Sequence, residues 1–111
     1  MTRLLTIIET HEFVRLAKAL KLSKSDLENI KTLLAAQPDI GTPLGSGLYK
    51  VRIARKGGGK SGGYRVIYFY RTDDYEIYLL DIFAKSNKVN ASTAEMKTLR
   101  QAARDIGKDI K

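Results

Sequence analysis

Gly47–Arg71 reads GLYKVRIARKGGGKSGGYRVIYFYR. It carries seven of the chain's twenty Lys and Arg residues and no Asp or Glu. Two strand-like runs, Leu48–Ala54 and Tyr64–Tyr70, flank a glycine-rich connection, Gly57–Gly63. In the first run Tyr49, Val51 and Ile53 alternate with Lys50 and Arg52. A strand therefore packs one face on a core and turns its cations the other way. The acid-free window is wider still, from Ile40 to Thr72, in a chain that holds twelve acids. Such segregation of sign makes a local positive field that attracts a polyanion.

Outward from this hairpin, the remaining segments supply the covering layer. Leu4–Thr10 is short, β-branched and partly alternating, and predicts a first strand. Phe13, Leu16, Ala17 and Leu20 recur at helical spacing and predict a helix ending near Leu22. Ser25 with Glu28 reads as a capping box opening a second helix, whose apolar face is Leu27, Ile30, Leu33 and Leu34 and which Pro38 stops. Asp39–Ser46, with Gly41, Pro43 and Gly45, reads as a loop. Thr72–Tyr75 is a polar turn, and Glu76–Ala84 is nearly continuous in apolar residues, as a central strand requires. Lys85–Ala91 is a second polar loop. Ser92 with Glu95 forms another capping box, and Met96, Leu99, Ala103 and Ile106 share one face of the helix that follows, with Gly107 as its C-cap. The predicted order is β-α-α-β-β-β-α. It implies an α+β fold: a small twisted, mainly antiparallel four-stranded sheet with helices on one face and cations on the other.

Composition bounds the function. A chain of 111 residues suits one domain, 1–111, with a single core. A formal net charge of +8 points to nucleic acid, an anionic surface or an acidic partner. No apolar run is long enough to span a bilayer, and no secretory leader is visible, so a cytoplasmic protein is expected. Without cysteine there is no disulfide, thiolate nucleophile or Cys-ligated zinc, and one histidine, His11, makes no His-rich metal site. Neither a metal nor a cofactor is expected. Ala54–Ser61, ARKGGGKS, nearly matches a phosphate-binding P-loop. Its first glycine is replaced by Ala54, however, and a strand rather than a helix follows Ser61-Gly62-Gly63, so the helix N-terminus that such a loop needs is missing.

Lys50, Arg52, Arg55, Lys56, Lys60 and Arg65 make the candidate phosphate surface. A lysine on a strand edge also guards against aggregation, and for Lys50 alone that is the simpler account. The group as a whole, with no interleaved acid, favours nucleic acid. Arg65 stands inside an otherwise apolar strand, where a charge is costly without an anion, and its guanidinium suits a two-pronged grip on phosphate. Asp81 fits a structural pair with an arginine. Most of the six tyrosines fit cross-strand packing, with one or two able to stack on bases.

The segments Gly47–Tyr70 and Tyr78–Lys88, the latter YLLDIFAKSNK, resemble the HigB/RelE superfamily of bacterial toxins from type II toxin–antitoxin modules, most closely its HigB-like branch. The resemblance spans the second to fourth predicted strands, and the order of the other elements agrees with it. It implies a ribosome-dependent endoribonuclease that enters the ribosomal A site, cuts the mRNA codon there without metal, and is held inactive by a co-encoded antitoxin, expected to be a helix-turn-helix protein. Operator DNA is then reached only through the antitoxin. By resemblance, Arg65 stabilises the attacked phosphate, Lys56 and Lys60 bind backbone and carry protons, and Lys85 completes the catalytic set. Arg52, Arg55 and Lys50 extend the RNA groove. Phe83 stands where many relatives have tyrosine; a phenyl ring stacks on a base but moves no proton. Two other readings remain open: a non-catalytic relative that binds antitoxin and co-represses its operator, and an RNA-binding module without cleavage.

Overall fold

A computed structural model describes residues 4–54, 63–84 and 90–108. Along the chain these form β1 (Thr6–Glu9), α1 (His11–Ala19), α2 (Lys24–Ala36), β2 (Thr42–Gly45), β3 (Leu48–Ala54), β4 (Gly63–Arg71), β5 (Glu76–Ala84) and α3 (Thr93–Lys108). The sheet order is β1-β5-β4-β3-β2. The pairs β2–β3, β3–β4 and β4–β5 are antiparallel, and β1 lies parallel to β5.

The sheet has five strands where the sequence predicts four. The extra one is β2, in the stretch read as a loop. Pro43 has no N–H to give to a ladder, which suits it to an edge, and β2 is the edge strand beside β3. A tight link of Gly45, Ser46 and Gly47, all at positive φ, returns the chain into β3. Gly47 is required there on two counts: φ is +81°, and a Cβ would lie 2.5 Å from Cε1 of Phe69.

The helices are not all on one face. Phe13 and Ala17 of α1 and Ile30 and Leu34 of α2 pack with Val51, Ile53, Val66, Tyr68, Ile77, Leu79 and Ile82. Leu99 and Ala103 of α3, with Met96 and Ile106, pack instead with Leu48, Ile67, Leu80 and Phe83. The strand residues of the two clusters alternate, so α3 lies across the face opposite α1 and α2. Glu76–Ala84 explains why both faces need a cover: it points Ile77, Leu79 and Ile82 one way and Leu80 and Phe83 the other. A bulge supports this. Ile67 opposes Asp81 while Tyr68 opposes Leu79, leaving Leu80 as the extra residue beside α3.

Capping chemistry sets the helix starts. Thr10, assigned to the first strand by sequence, is the N-cap of α1, accepting from the Phe13 N–H. At α2 the box is Ser23 with Asp26, displaced toward the N-terminus from the predicted Ser25 and Glu28. The Ser23 hydroxyl accepts from the Asp26 N–H at 3.0 Å, and the Asp26 carboxylate accepts from the Ser23 N–H at 3.2 Å. The Ser92–Glu95 box is present as expected, with bonds of 2.8 and 3.1 Å. Gly107 does not cap α3 but falls within its last turn.

On the α1/α2 face a polar lock joins the loop after α2 to the sheet. The Tyr68 hydroxyl donates to the Pro38 carbonyl at 2.8 Å and accepts from the Gly41 N–H at 3.0 Å. Its ring stacks on Tyr49 with centroids 5.4 Å apart. Burial pushes the phenol up to about 12. Gly41 admits this approach because a Cβ there would meet the Lys50 carbonyl and the Tyr68 hydroxyl at 2.9 Å each. Among the described residues no helix is long and apolar enough to cross a membrane.

Candidate nucleic-acid interface

The strand register assembles the candidate site. Arg52 of β3 opposes Arg65 of β4, and Arg65 opposes Phe83 of β5, giving a row across three strands. Two residues along, Lys50 opposes Ile67 and Ile67 opposes Asp81. Alternation puts both rows on the α3 face, since their neighbours Val51, Ile53, Tyr64 and Val66 lie in the opposite cluster. The cations therefore share a face with a helix instead of occupying a bare one. They escape burial because α3 covers Leu48, Ile67, Leu80 and Phe83, while Arg52 is exposed and Lys50 and Arg65 are partly so.

Arg65 is the chemically telling member. Its Nη1 is buried and meets no hydrogen-bond acceptor among the described residues. An unpaired buried guanidinium nitrogen costs free energy that an incoming phosphate oxygen would recover. Arg71, at the other end of the same strand, shows the alternative. Its Nη1 is likewise buried without a hydrogen-bond partner, but Asp74 holds its Nη2 at 2.7 Å and Glu76 lies 3.7 Å from its Nη1, so its charge is balanced inside the protein. The acid-free window holds both arginines, and the fold supplies internal counter-charges to Arg71.

Phe83 is 6% exposed and packs in the cluster with Leu99 and Ala103. That burial leaves little ring for a base to stack on; the residue sits opposite Arg65 across the β4–β5 pair. Arg55, Lys56, Lys60 and Lys85 lie outside the described residues. Of the predicted set, the fold thus brings together Arg52, Arg65, Lys50 and Phe83.

Sequence reasoning passed over two groups beside Lys50. The Lys50 ammonium donates to the Asn90 side-chain carbonyl. Arg100 of α3 lines the same depression, with Leu44, Ile67, Ala91 and Met96, in a volume of about 200 Å³. Arg100 stands four residues after Met96, so both lie on the helix face turned to the sheet. A basic residue on the apolar stripe of an otherwise well-patterned helix is the signal that marks it. A larger groove of about 360 Å³ lies between α1, β5 and α3, but Glu12, Asp81 and Glu95 line it with a single cation, Arg15, which Glu12 already pairs. The tyrosines Tyr49, Tyr68 and Tyr70 pack together on the α1/α2 face, away from the cationic rows.

A family model described as the RelE toxin of the RelE / RelB toxin–antitoxin system matches residues 5–109. The match is to the RelE family and does not single out the HigB-like branch expected from sequence. In fold the chain is similar to a double arginine-to-alanine mutant of the E. coli toxin RelE in the free state. The sequence identity is 17% and the TM-score 0.53, over 78% of this chain and 88% of that one. The isolated E. coli RelE toxin is also similar, at 18% identity and a TM-score of 0.47, over 88% and 98% of the two chains.

Proposed function

Because the chain belongs to the RelE toxin family, we propose that it is the toxin of a toxin–antitoxin pair and cleaves mRNA in the ribosomal A site. The observation that carries this reading is the Arg52–Arg65 pair on the open part of the α3 face, with a buried Arg65 nitrogen that meets no acceptor among the described residues. In the proposed reaction a ribose 2′-hydroxyl of the mRNA attacks the adjacent phosphate. The P–O bond to the next nucleotide breaks, leaving a cyclic phosphate and a free 5′-hydroxyl. Charge builds on the equatorial oxygens of the pentavalent phosphate, and a donor already in place there stabilises it more than the ground state. Arg65 takes that role. Arg52 neutralises the flanking backbone, with Lys50 and Arg55 extending the track.

Proton transfer falls to Lys56, Lys60 and Lys85. Phe83 cannot take part, because its ring has no exchangeable proton. The partner is a cognate antitoxin, through which any operator DNA would be reached, and the working compartment is the cytoplasm.

The test is induction in a bacterial host followed by primer extension on a translated reporter mRNA. Cuts confined to the translated frame, and absent in Arg65→Ala, are the expected result. Growth arrest without cuts would leave a protein that blocks translation by binding. Phe83, standing where a proton-carrying side chain would help, is the observation that favours this second reading. No arrest would point to a non-catalytic co-repressor.

A further inference from the structure

The depression between Lys50, Asn90 and Arg100 has a build that phosphate binding alone does not require. Its floor is apolar, made by Leu44 and Ile67 of the sheet, Ala91 just before α3 and Met96 in its first turn. Its rim is polar and rich in donors. Lys50 and Arg100 donate and cannot accept. The Asn90 carbonyl accepts from Lys50, and its amide nitrogen carries two further N–H donors. Arg100 is in no ion pair among the described residues, unlike Arg15, Lys31 and Arg71.

Position gives this depression a role. Ile67 and Lys50 lie two residues along their strands from Arg65 and Arg52, about 7 Å at the rise of an antiparallel strand. That is the reach of one nucleotide from a phosphate on the arginine row. An apolar slot about 200 Å³ in volume takes a flat heterocycle, and donors at its mouth read acceptors on the heterocycle's edge. Among the bases, guanine offers two adjacent acceptors, O6 and N7, which a guanidinium or ammonium meets well.

We infer that the Leu44–Ile67–Met96 depression is a nucleobase subsite, in which Arg100, Asn90 and Lys50 read a guanine next to the bound phosphate. The inference rests on the proposed RNA-directed function and deepens it: the arginine row holds the backbone and this subsite sets which base sits beside it. Arg100 is a specificity residue here and takes no part in the bond changes.

The experiment uses short RNA in place of the ribosome, so that its outcome is separate from the cleavage assay. The intact protein, with labelled methionine methyl groups, is titrated with 2′-O-methyl trinucleotides that cannot be cut. They carry guanine, 7-deazaguanine or adenine at the centre. Guanine is expected to bind about tenfold more tightly than adenine, with 7-deazaguanine weakened because it lacks N7. The Met96 methyl resonance should move on binding. Arg100→Met, which keeps the length of the side chain and the helix, should bring the three affinities together without lowering the unfolding temperature. Equal affinities in the unaltered protein would overturn the inference. So would a preference that survives in Arg100→Met, or binding that leaves Met96 unmoved. Absence of any trinucleotide binding would also overturn the subsite, whereas reporter cleavage would still decide the proposed function.

Discussion

On the α1/α2 face, β3, β4 and β5 present Val51, Ile53, Val66, Tyr68, Ile77, Leu79 and Ile82, none more than 7% exposed. On the α3 face the same strands present Leu48, Ile67, Leu80 and Phe83, but also Lys50, Arg52 and Arg65. The difference follows from the covering layer. Two helices seal the first face, where a buried polar group gains from a partner, as the Tyr68 hydroxyl does with Pro38 and Gly41. One helix lies across the second, and the strand ends beyond it keep solvent access for cations. Under the proposed function, the sealed side carries stability and the cationic side ligand contact, and substitutions on the two faces should separate in their effects.

The largest effect tests the sealed side. Phe13 is 0% exposed, and Phe13→Ala should cost about 3–5 kcal/mol of stability through the cavity it leaves. Denaturant unfolding measures this, and a loss under about 1 kcal/mol would mean that the face is not close-packed. On the other side, Arg65→Ala should lower reporter cleavage by about a hundredfold to a thousandfold, in the range for a lost transition-state donor. Its unfolding midpoint should hold, because no internal partner is orphaned among the described residues. A matching fall in stability would show that both faces carry the fold.

A pH titration sharpens the same contrast. The Tyr68 phenol sits at about 12 in the fold, against 10.0 as its ordinary value, so its ionised form is disfavoured in the folded chain. Its contribution is fully present below pH 10 and is lost between pH 10 and 12 as the unfolded chain ionises first, on the order of 3 kcal/mol in all. The difference between the parent chain and Tyr68→Phe should shrink across that window. A constant difference would remove the buried hydroxyl from the account. The smallest effect is at the helix start: Ser23→Ala should cost about 1 kcal/mol by removing the acceptor for the Asp26 N–H. The same substitution at Ser25, the cap suggested by sequence, should cost less.

Much of this was legible before any coordinates. Leu48–Ala54 and Glu76–Ala84 are strands at their predicted bounds because alternation in one and a dense apolar run in the other leave no competing periodicity. The placement of Lys50 and Arg52 opposite Val51 and Ile53 followed from the same alternation. What stayed hidden was relational. The amphipathic stripe of α3 announces that it is covered but cannot say by which face of the sheet. Pro43 and its glycines read as a loop because edge pairing depends on a partner strand, not on local preference. The cap of α2 falls two residues before the expected Ser25, because Ser23 also has an acid three residues on, Asp26, which completes the box. Arg65 was marked by its place inside an apolar strand, but the internal counter-charges that Asp74 and Glu76 give Arg71 show only in the fold. The role of Arg100 needed the β3 register to bring Lys50 alongside it.

The pairing of β1 with β5 has a consequence in time. Thr6 lies against Glu76 and Glu9 against Leu79, so the first strand to leave a ribosome finds its seat only after most of the chain has followed. The β2-to-β5 meander needs only neighbouring segments and can form on its own schedule, whereas β1 must wait through a long loop closure. A nascent chain halted before Glu76 therefore holds Arg52 and Arg65 without the strand that flanks Arg65 and without the edge on which β1 docks.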